Sequence, residues 1–309
     1  MSIWANRPLV RRIENIVATV GDMLIRAVSP DQAAMGERLR EALARLARDA
    51  GQGSPFWREA CETLRDCAAS GDPMFFMRWA PIKATMVNGT TPFTVQAFRA
   101  LQRDPDWQTI WKAAITHPLY GRGPIFIPYP WTFGNTVMHA ANLRHFQAAT
   151  GRSLLDSPLI VEFGGGYGSM GRLVAKLGHT GRYAIFDLPP VLELQRYYLA
   201  LHGLTAGDEA EARVFLTADL NAIRDRLVQG SALMSTWALS EMPLPLRARI
   251  VALLDELRCT GALFAYQNQF EGIDNTAWFA ALAEATDANW IWRITRIDNN
   301  SDYMTGVRR

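Results

Sequence analysis

The sequence predicts an α/β protein in which a mainly parallel sheet, covered by helices on both faces, follows a helical N-terminal region. From residue 158 onward, short apolar runs of strand type alternate with segments of helical length, which is typical of a parallel sheet. Before residue 117, apolar residues instead recur at intervals of three and four, which indicates helices. The chain of 309 residues is long enough for one large domain or two ordinary ones.

The N-terminal region is predicted to consist of successive helices. An apolar stripe over residues 9–28 predicts the first, and Ser29-Pro30 precedes a second that runs to about residue 50. Turn signals separate three further helices near 55–69, 91–103 and 105–116. The first two helices form a hairpin, for which packing on its own domain and service as a homodimer interface are equally good interpretations.

An aromatic segment, residues 117–136, separates the two halves of the chain. It holds four prolines and five Phe, Tyr or Trp residues, so it is too apolar for a linker and too broken for a helix. We expect an ordered loop, followed by a helix over 136–150. Tyr129 and Trp131 are predicted either to form a platform for a flat acceptor such as a sugar ring or to fill the core of a lid.

The second half is predicted to form a sheet of about seven strands. Its strand-like runs lie at 159–163, 182–187, 212–216, 232–237, 262–268 and 290–297. The helix-like segments between them lie near 169–178, 190–202, 219–228, 244–258 and 275–286. The predicted organisation has three parts, which are a helical domain (1–116), a loop with its connecting helix (117–152) and a ligand-binding sheet domain (153–309).

A glycine-rich loop, GGGYG at 164–168, directly follows the first predicted strand. A parallel sheet binds its ligand at the carboxyl ends of its strands, and glycines there let the backbone approach the ligand closely. GYGSMG from Gly166 satisfies the dinucleotide pattern G-x-G-x-x-G, whereas EFGGGYG from Glu162 satisfies the pattern E-x-G-x-G-x-G of S-adenosylmethionine enzymes. The dinucleotide pattern begins three residues after the strand instead of immediately after it, which weakens it.

Three acidic residues favour the E-x-G-x-G-x-G pattern over the dinucleotide pattern. Asp187 ends the second predicted strand, where its carboxylate can accept hydrogen bonds from both hydroxyls of a ribose, although NAD needs an acid there too. Asp219 follows the third strand, at the height where an adenine amino group would lie. Glu162 adds a carboxylate beneath the loop, which suits the ammonium and sulfonium of S-adenosylmethionine and opposes a pyrophosphate. The charges therefore favour the methyl donor.

Four segments, VEFGGGYGSMGRLV, YAIFDLPPVLELQRYYL, STWALSEMP and FAYQNQF, resemble the successive motifs of class I S-adenosylmethionine-dependent methyltransferases. They are most similar to those of the bacterial sugar O-methyltransferases, over about residues 155–270. The resemblance implies a Rossmann-like fold and S-adenosylmethionine as the cofactor. It places at the cofactor Glu162, Gly164, Gly165, Gly166, Tyr167, Gly168, Asp187, Leu188, Asp219, Leu220, Ser235, Thr236 and Trp237. For Tyr167, packing against the next helix is the alternative.

Methyl transfer to a hydroxyl needs in-line alignment and a base that removes the proton. Glu241, in STWALSEMP after the fourth strand, is expected to be that base or an anchor for the acceptor hydroxyl. Its alternative role is that of a first-turn acid at a helix N-terminus. His139 lies four residues after Asn135 on the helix over 136–150, so both side chains point the same way, and it is the second candidate base.

The acceptor is expected to be a small polar molecule or a sugar. Amide side chains after the fifth strand could bind several hydroxyls, although amides that cap the backbone are the alternative. The predicted acceptor contacts are Tyr129, Trp131, Asn135, Ser240, Gln267 and Asn268.

The composition argues against several classes of partner. The 32 basic and 30 acidic side chains nearly balance without a basic block, so nucleic acid is not expected. No stretch approaches the roughly 18–20 apolar residues that span a bilayer. Three cysteines without paired spacing and the lack of a metal-ligand spacing favour a cytoplasmic, metal-independent enzyme. An N- or C-methyltransferase of a secondary-metabolite pathway is the alternative, ahead of an NAD(P)-dependent oxidoreductase and of a binding module without turnover.

Overall fold

The computed structural model describes residues 29–46, 53–209, 212–226, 228–256 and 259–309. The helix predicted over residues 9–28 lies outside these ranges. The α-helices described are α1 Pro30–Arg45, α2 Pro55–Ser70, α3 Ala80–Thr85, α4 Pro92–Gln102, α5 Lys112–Ile115, α6 Gly134–Thr150, α7 Ser169–Lys176, α8 Pro189–Leu201, α9 Leu220–Arg226, α10 Leu244–Glu256 and α11 Asn275–Ala285. Short 3-10 helices at Pro73–Arg78, Leu154–Asp156 and Ala238–Glu241 and a π-helix at Trp107–Trp111 connect some of them. None of the helices in these ranges combines the length and the apolar composition that crossing a membrane requires.

Eight strands form one sheet in the order β3-β4-β2-β1-β5-β6-β10-β9. They are β1 Leu159–Phe163, β2 Arg182–Phe186, β3 Ala206–Gly207, β4 Val214–Thr217, β5 Ala232–Thr236, β6 Gly261–Gln267, β9 Trp290–Asp298 and β10 Ser301–Arg308, with β7 Gln269–Phe270 and β8 Ile273–Asp274 in a separate hairpin. Strand β10 runs antiparallel to β6 and β9, and the remaining pairs of the large sheet are parallel. This confirms the predicted Rossmann-like, mainly parallel sheet, with eight strands where about seven were expected.

Strand β10 is the long strand that the sequence pattern did not predict. Its stretch SDYMTGVR mixes polar and apolar residues, yet the side chains of Asp302 and Thr305 are buried. Pairing on both edges, with β6 and β9, explains this burial. Gly306 lies beneath the Trp292 ring, where a Cβ would stand 2.3 Å from ring carbons. A strand paired on both sides is specified by its neighbours, so its own apolar pattern is a poor guide.

The helices of the first half begin where capping residues predict. Ser29 and Gln32 form a capping box at the start of α1, and Thr91 with Thr94 forms one at the start of α4. Leu39 and Leu43 of α1 are buried in a core that also contains Tyr198 of α8. The apolar stripe of α1 thus covers the chain's own sheet half, and a homodimer through the N-terminal helices stays a prediction.

Candidate active site

A cavity of about 560 Å³ lies at the carboxyl edge of the sheet, where β1 stands between β2 and β5. Its volume falls within the roughly 300–1,000 Å³ of small-molecule sites. Loops after β1, β2, β4 and β5 form one wall. The opposite wall comes from the helical half, through α2, the segment after α3, α4 and α6. The site is therefore built between the two halves of the chain.

The glycine loop has the backbone conformation that its composition suggests. Gly164, Gly166 and Gly168 have φ values of +75°, +53° and +94°, in the left-handed region that a side chain disfavours. A Cβ on Gly164 would also stand 2.0 Å from Cβ of Ala238, in the turn after β5. Gly164, Gly165 and Gly166 line the cavity, whereas Gly168 precedes α7 and does not. The bare backbone thus allows two loops of the site to touch.

Asp187 lies in the cavity wall at the end of β2. Its carboxylate accepts hydrogen bonds from the backbone N–H groups of Gly165 (2.9 Å) and Leu188 (2.8 Å). The amide of Gln195 donates a third at 2.7 Å and also reaches the carbonyl of Gly166. Burial raises the pKa of Asp187 to about 7, against the lowering effect of these donors. The acid is held rigidly against the glycine loop, and Leu188 lines the cavity beside it.

Glu162 lies beneath the loop and does not line the cavity. Its side chain is buried, and the Tyr183 hydroxyl donates to it at 2.7 Å. Burial is the main reason that its pKa is raised to about 8, which the Tyr183 hydrogen bond only partly offsets. The sequence suggested that Glu162 contacts the ligand directly. In the structure the side chain is buried beneath the loop and does not reach the cavity.

Asp219 is exposed and lies outside the cavity wall, which Ala218 lines instead. Its carboxylate accepts the N–H of Asn221 at 2.9 Å, so it caps the start of α9. Leu220 is part of the sheet core. Capping of α9 explains why an aspartate stands at this position. The expected position of its carboxylate beside an adenine in the cavity differs from the observed one, because Asp219 does not line the cavity.

The turn after β5 brings Thr236 and Trp237 into the cavity wall. Trp237 has φ +70°, a left-handed conformation that is unusual for a residue with a large side chain. Ser235 does not line the cavity. Its hydroxyl is buried, donates to the carbonyl of Phe163 at 2.8 Å and accepts the N–H of Leu239 at 2.9 Å. Ser235 thus ties the end of β1 to the turn that carries Trp237.

Glu241 lines the cavity and is held from both halves of the chain. Trp57 of α2 donates its indole N–H to one carboxylate oxygen at 2.7 Å, and Gln267 donates to the other at 2.9 Å. The Ser240 hydroxyl shares its one proton between the Trp237 backbone carbonyl at 2.5 Å and the Gln267 side-chain oxygen at 3.1 Å, and the second contact favours this direction of the amide. Burial raises the pKa of Glu241, and these hydrogen bonds act against it. Ser240 and Gln267 therefore position Glu241 from outside the cavity.

His139 and Asn135 of α6 both line the cavity. His139 Nδ1 is buried without a hydrogen-bond partner, and burial lowers the pKa of His139 to about 4. The imidazole is therefore neutral near pH 7 and a weak base. Asn135 accepts the N–H of Asn88 at 2.5 Å and donates to the carbonyl of Met86 at 2.6 Å. Asn135 thus holds the segment after α3 over the cavity.

Besides Ser240 and Gln267, three more predicted acceptor contacts lie outside this cavity. Tyr129 stacks on Phe98 and its hydroxyl pairs with Thr116, while Trp131 is 64% exposed. Asn268 lies at a separate, open hollow beside the β7–β8 hairpin. In the aromatic loop, Phe126 and Phe133 are buried, Tyr129 is partly buried against the core and only Trp131 of these four is exposed.

Several cavity residues escape prediction from sequence. The helical half contributes Trp57, Met86, Phe93 and Met138 to the wall. In the sequence, these four residues look like ordinary apolar residues of packed helices. No sequence feature distinguishes them from residues of the core. Among the described residues, no Arg or Lys side chain lines the cavity, and no cluster of three potential metal ligands occurs.

Comparisons with known proteins give structural similarity only. No family model and no curated protein sequence matches the chain. The mitomycin 7-O-methyltransferase MmcR is 18% identical, with 97% of this chain and 83% of that one covered and a TM-score of 0.38. Magnesium protoporphyrin IX methyltransferase from Synechocystis, solved with bound S-adenosylmethionine, is 14% identical over 56% and 79% of the two chains, with a TM-score of 0.39. A precorrin-6y C5,15-methyltransferase from Geobacter metallireducens is 13% identical over 58% and 89%, with a TM-score of 0.40.

Proposed function

We propose that this protein is an S-adenosylmethionine-dependent methyltransferase that methylates a hydroxyl of a small molecule. One observation carries the proposal. Asp187, the glycine loop and Glu241 line a single cavity at the carboxyl edge of β1, β2 and β5. This arrangement combines an acid that could bind a ribose, a backbone that a ligand can approach closely and a candidate base in the wall of the same cavity.

The charge of the cavity supports a cationic cofactor. Asp187, Glu241 and Asp298 line it, and no Arg or Lys side chain of the described residues does. Bound S-adenosylmethionine would supply a methyl group on a positively charged sulfur. Ionised carboxylates in the wall favour that charge, whereas a dinucleotide would bring two negative phosphates to the same wall. The residues present therefore fit S-adenosylmethionine better than NAD(P).

Glu241 is the proposed base. Its carboxylate would accept the proton of the acceptor hydroxyl, so that the oxygen can take the methyl group that bound S-adenosylmethionine would supply, with S-adenosylhomocysteine as the leaving product. Burial raises the pKa of Glu241, which makes it a stronger proton acceptor than an exposed glutamate. Trp57 and Gln267 hold its two oxygens, so its direction is set before the acceptor binds. His139, neutral and with Nδ1 unpaired, is proposed to accept a hydrogen bond from the acceptor or donate one to it.

The helical half is proposed to select the acceptor. Met86, Phe93 and Met138 make its part of the wall largely apolar, which suits a flat or partly apolar small molecule. A sugar acceptor remains within the proposal, although Tyr129 and Trp131 do not support it from their positions outside the cavity. An acceptor methylated on nitrogen or carbon is the second candidate. The carboxylates of Glu241 and Asp298 in the cavity wall would also suit an amine. The proposed setting is cytoplasmic and metal-independent, with no nucleic acid partner.

The proposal is tested first by calorimetric titration of the protein with S-adenosylmethionine, S-adenosylhomocysteine, NAD⁺ and NADP⁺. We expect micromolar binding of the two sulfur compounds and no heat from the dinucleotides. Binding of a dinucleotide alone would refute the proposal. A screen of phenols, sugars and amines, with formation of S-adenosylhomocysteine as the readout, then separates the acceptor classes. Binding without turnover on any of them would favour a module without catalysis.

A further inference from the structure

Arg247 of α10 is a buried cation that holds the turn on which Glu241 stands. Its side chain is fully buried and lies outside the cavity wall. Its Nη2 donates to the backbone carbonyl of Ser240 at 2.5 Å, and its Nε donates to the backbone carbonyl of Met242 at 2.7 Å. These two residues flank Glu241 in the chain. One guanidinium therefore fixes the backbone both before and after the proposed base.

A third hydrogen bond of Arg247 leads to the side chain that holds Glu241. Its Nη1 donates to Oδ1 of Asn275 at 2.7 Å. Asn275 begins α11, is also fully buried and donates to the backbone carbonyl of Gln267 at 2.9 Å. The side-chain amide of Gln267 in turn donates to the Glu241 carboxylate at 2.9 Å. A closed ring of contacts thus runs from the backbone beside Glu241, through Arg247, Asn275 and Gln267, to the Glu241 carboxylate.

The charge of Arg247 acts on Glu241 as well. All three hydrogen-bond acceptors of the guanidinium are neutral oxygens. Burial lowers the pKa of Arg247 to about 10 and Glu241 acts in the opposite direction, so Arg247 is charged near pH 7. A buried cation needs an opposite charge nearby, because removal from water is costly when nothing compensates. The charged groups that act on Glu241 are Arg247, which lowers its pKa, and Glu271 in the turn between β7 and β8, which raises it.

We propose that Arg247 is a positioning residue for Glu241, which orients the carboxylate through the ring of contacts and keeps it ionised through its charge. The inference rests on the proposed function, because Glu241 is the base only under that function. The alternative is a purely mechanical role, in which Arg247 fastens α10 through its hydrogen bonds and through the Trp278 ring, whose centroid lies 5.3 Å from the guanidinium carbon. Only the proposed role changes the pH at which Glu241 titrates.

The test follows the ionisation of Glu241 through its own hydrogen bond. In NMR spectra of the isotope-labelled full-length protein, the Trp57 indole N–H signal is assigned by its loss in Trp57→Phe. This signal should shift with pH as the carboxylate that accepts the hydrogen bond gains a proton. In Arg247→Gln the midpoint should rise by about one pH unit, because an opposite charge at short range lowers a carboxyl pKa by roughly 1 to 3. An unchanged midpoint would overturn the proposal.

Three further variants separate the charge from the mechanical role. Arg247→Lys keeps the charge and should keep the midpoint close to the wild-type value, whereas a midpoint raised as far as in Arg247→Gln would favour the mechanical role and overturn the proposal. Asn275→Ala cuts the ring and leaves Arg247 in place, so the midpoint should rise by a smaller amount. Where Arg247→Gln does not fold, a wild-type midpoint in Asn275→Ala would overturn the proposal instead. Arg249→Gln, at an exposed position of the same helix, is the matched control and should leave the midpoint unchanged.

Kinetics then connect the midpoint with the reaction. With an acceptor from the screen of phenols, sugars and amines, the acidic limb of the kcat/KM profile of Arg247→Gln should move to higher pH by the same amount as the Trp57 midpoint. An acidic limb that stays in place while the midpoint moves would overturn the role of Arg247 in the reaction. The NMR titration needs neither cofactor nor acceptor. A shifted midpoint in a protein that binds no S-adenosylmethionine would therefore refute the proposed function and leave the effect of Arg247 on Glu241 standing.

Discussion

The two halves of the chain build one cavity by different means. The sheet half lines it with backbone and short side chains from turns at strand ends, such as Gly165, Asp187 and Thr236. The helical half lines it with side chains that project from helices, such as Trp57, Phe93 and Met138. Turns at strand ends carry residues that packing does not require, whereas helix faces carry residues that packing also explains. The cavity residues of the sheet half can therefore be predicted from the sequence, and those of the helical half cannot.

Under the proposed function, the sheet half would bind the cofactor and carry the base, and the helical half would select the acceptor. Glu241 is where the two meet, because Trp57 and Gln267 hold it from opposite sides. The variants below are chosen to separate these contributions.

The largest effect is expected for Glu241→Gln. Loss of the base should lower kcat by about 10²- to 10⁴-fold, while the dissociation constant of S-adenosylmethionine changes little. Steady-state kinetics with an acceptor from the screen, together with calorimetry, measure the two quantities. Asp219→Asn, at an exposed acid outside the cavity wall, is the control and should keep most of the activity. A Glu241→Gln variant with the wild-type kcat would remove Glu241 as the base.

The next effect separates two of the three acids that the sequence assigned to the cofactor, Asp187 and Asp219. Asp187→Asn should weaken S-adenosylhomocysteine binding by about 10- to 150-fold, because hydrogen bonds to a charged group contribute roughly 1.5–3 kcal/mol. Asp219→Asn should change it less than threefold, since Asp219 is exposed and caps α9. Calorimetric titration of both variants provides the measurement. Equal losses would show that Asp219 contacts the cofactor and that the cavity rearranges on binding.

Phe93→Ala tests the role of the helical half. Removal of the ring from the cavity wall should raise the KM of the acceptor by roughly tenfold, in line with the loss of one apolar side-chain contact. The dissociation constant of S-adenosylmethionine should stay within twofold of the wild type. Phe56→Ala, at an exposed ring of the same half, is the matched control. An effect on cofactor affinity alone would reverse the assignment of the two walls.

Trp57→Phe tests the link between the halves at the base. The Trp57 N–H stabilises the ionised form of Glu241, so its removal should raise the pKa of that carboxyl. Because the ionised form removes the proton, activity at low pH should fall, and the acidic limb of the kcat/KM profile should move to higher pH. A profile of unchanged shape would show that this hydrogen bond has no influence on the reaction.

The smallest effects concern the pH dependence of stability. Burial raises the pKa of Glu162 and lowers the pKa of His117. Burial raises the pKa of Glu162 to about 8, so the folded state binds the extra proton and loses stability as pH rises from about 4.5 to 8. Burial lowers the pKa of His117 to about 3, so stability is lost as pH falls below about 6.5. Thermal unfolding should show a flatter alkaline side in Glu162→Gln and a flatter acidic side in His117→Gln. Parallel curves for a variant and the wild type would contradict the assignment for that group.

Sequence patterns predicted the elements better than the contacts. The strands from β1 to β6, apart from the two-residue β3, and the helices that follow them lie close to the predicted positions, because alternating apolar runs and caps are local signals. Strand β10 was missed, since its burial depends on pairing with β6 and β9. The three acids predicted to contact the cofactor lie in three different environments. Asp187 is in the cavity wall, Glu162 is in the core and Asp219 is on the surface.

The sequence by itself determined the parallel sheet, the bare loop after β1 and the identity of the acids at the strand ends. These follow from local patterns, because glycine and carboxylate have properties that no neighbour needs to supply. Only the tertiary structure decided which of those acids face the cavity, which helices close it and that Trp57 holds Glu241 across 184 positions of the chain. These contacts depend on how distant segments of the chain pack together, which no local sequence pattern records.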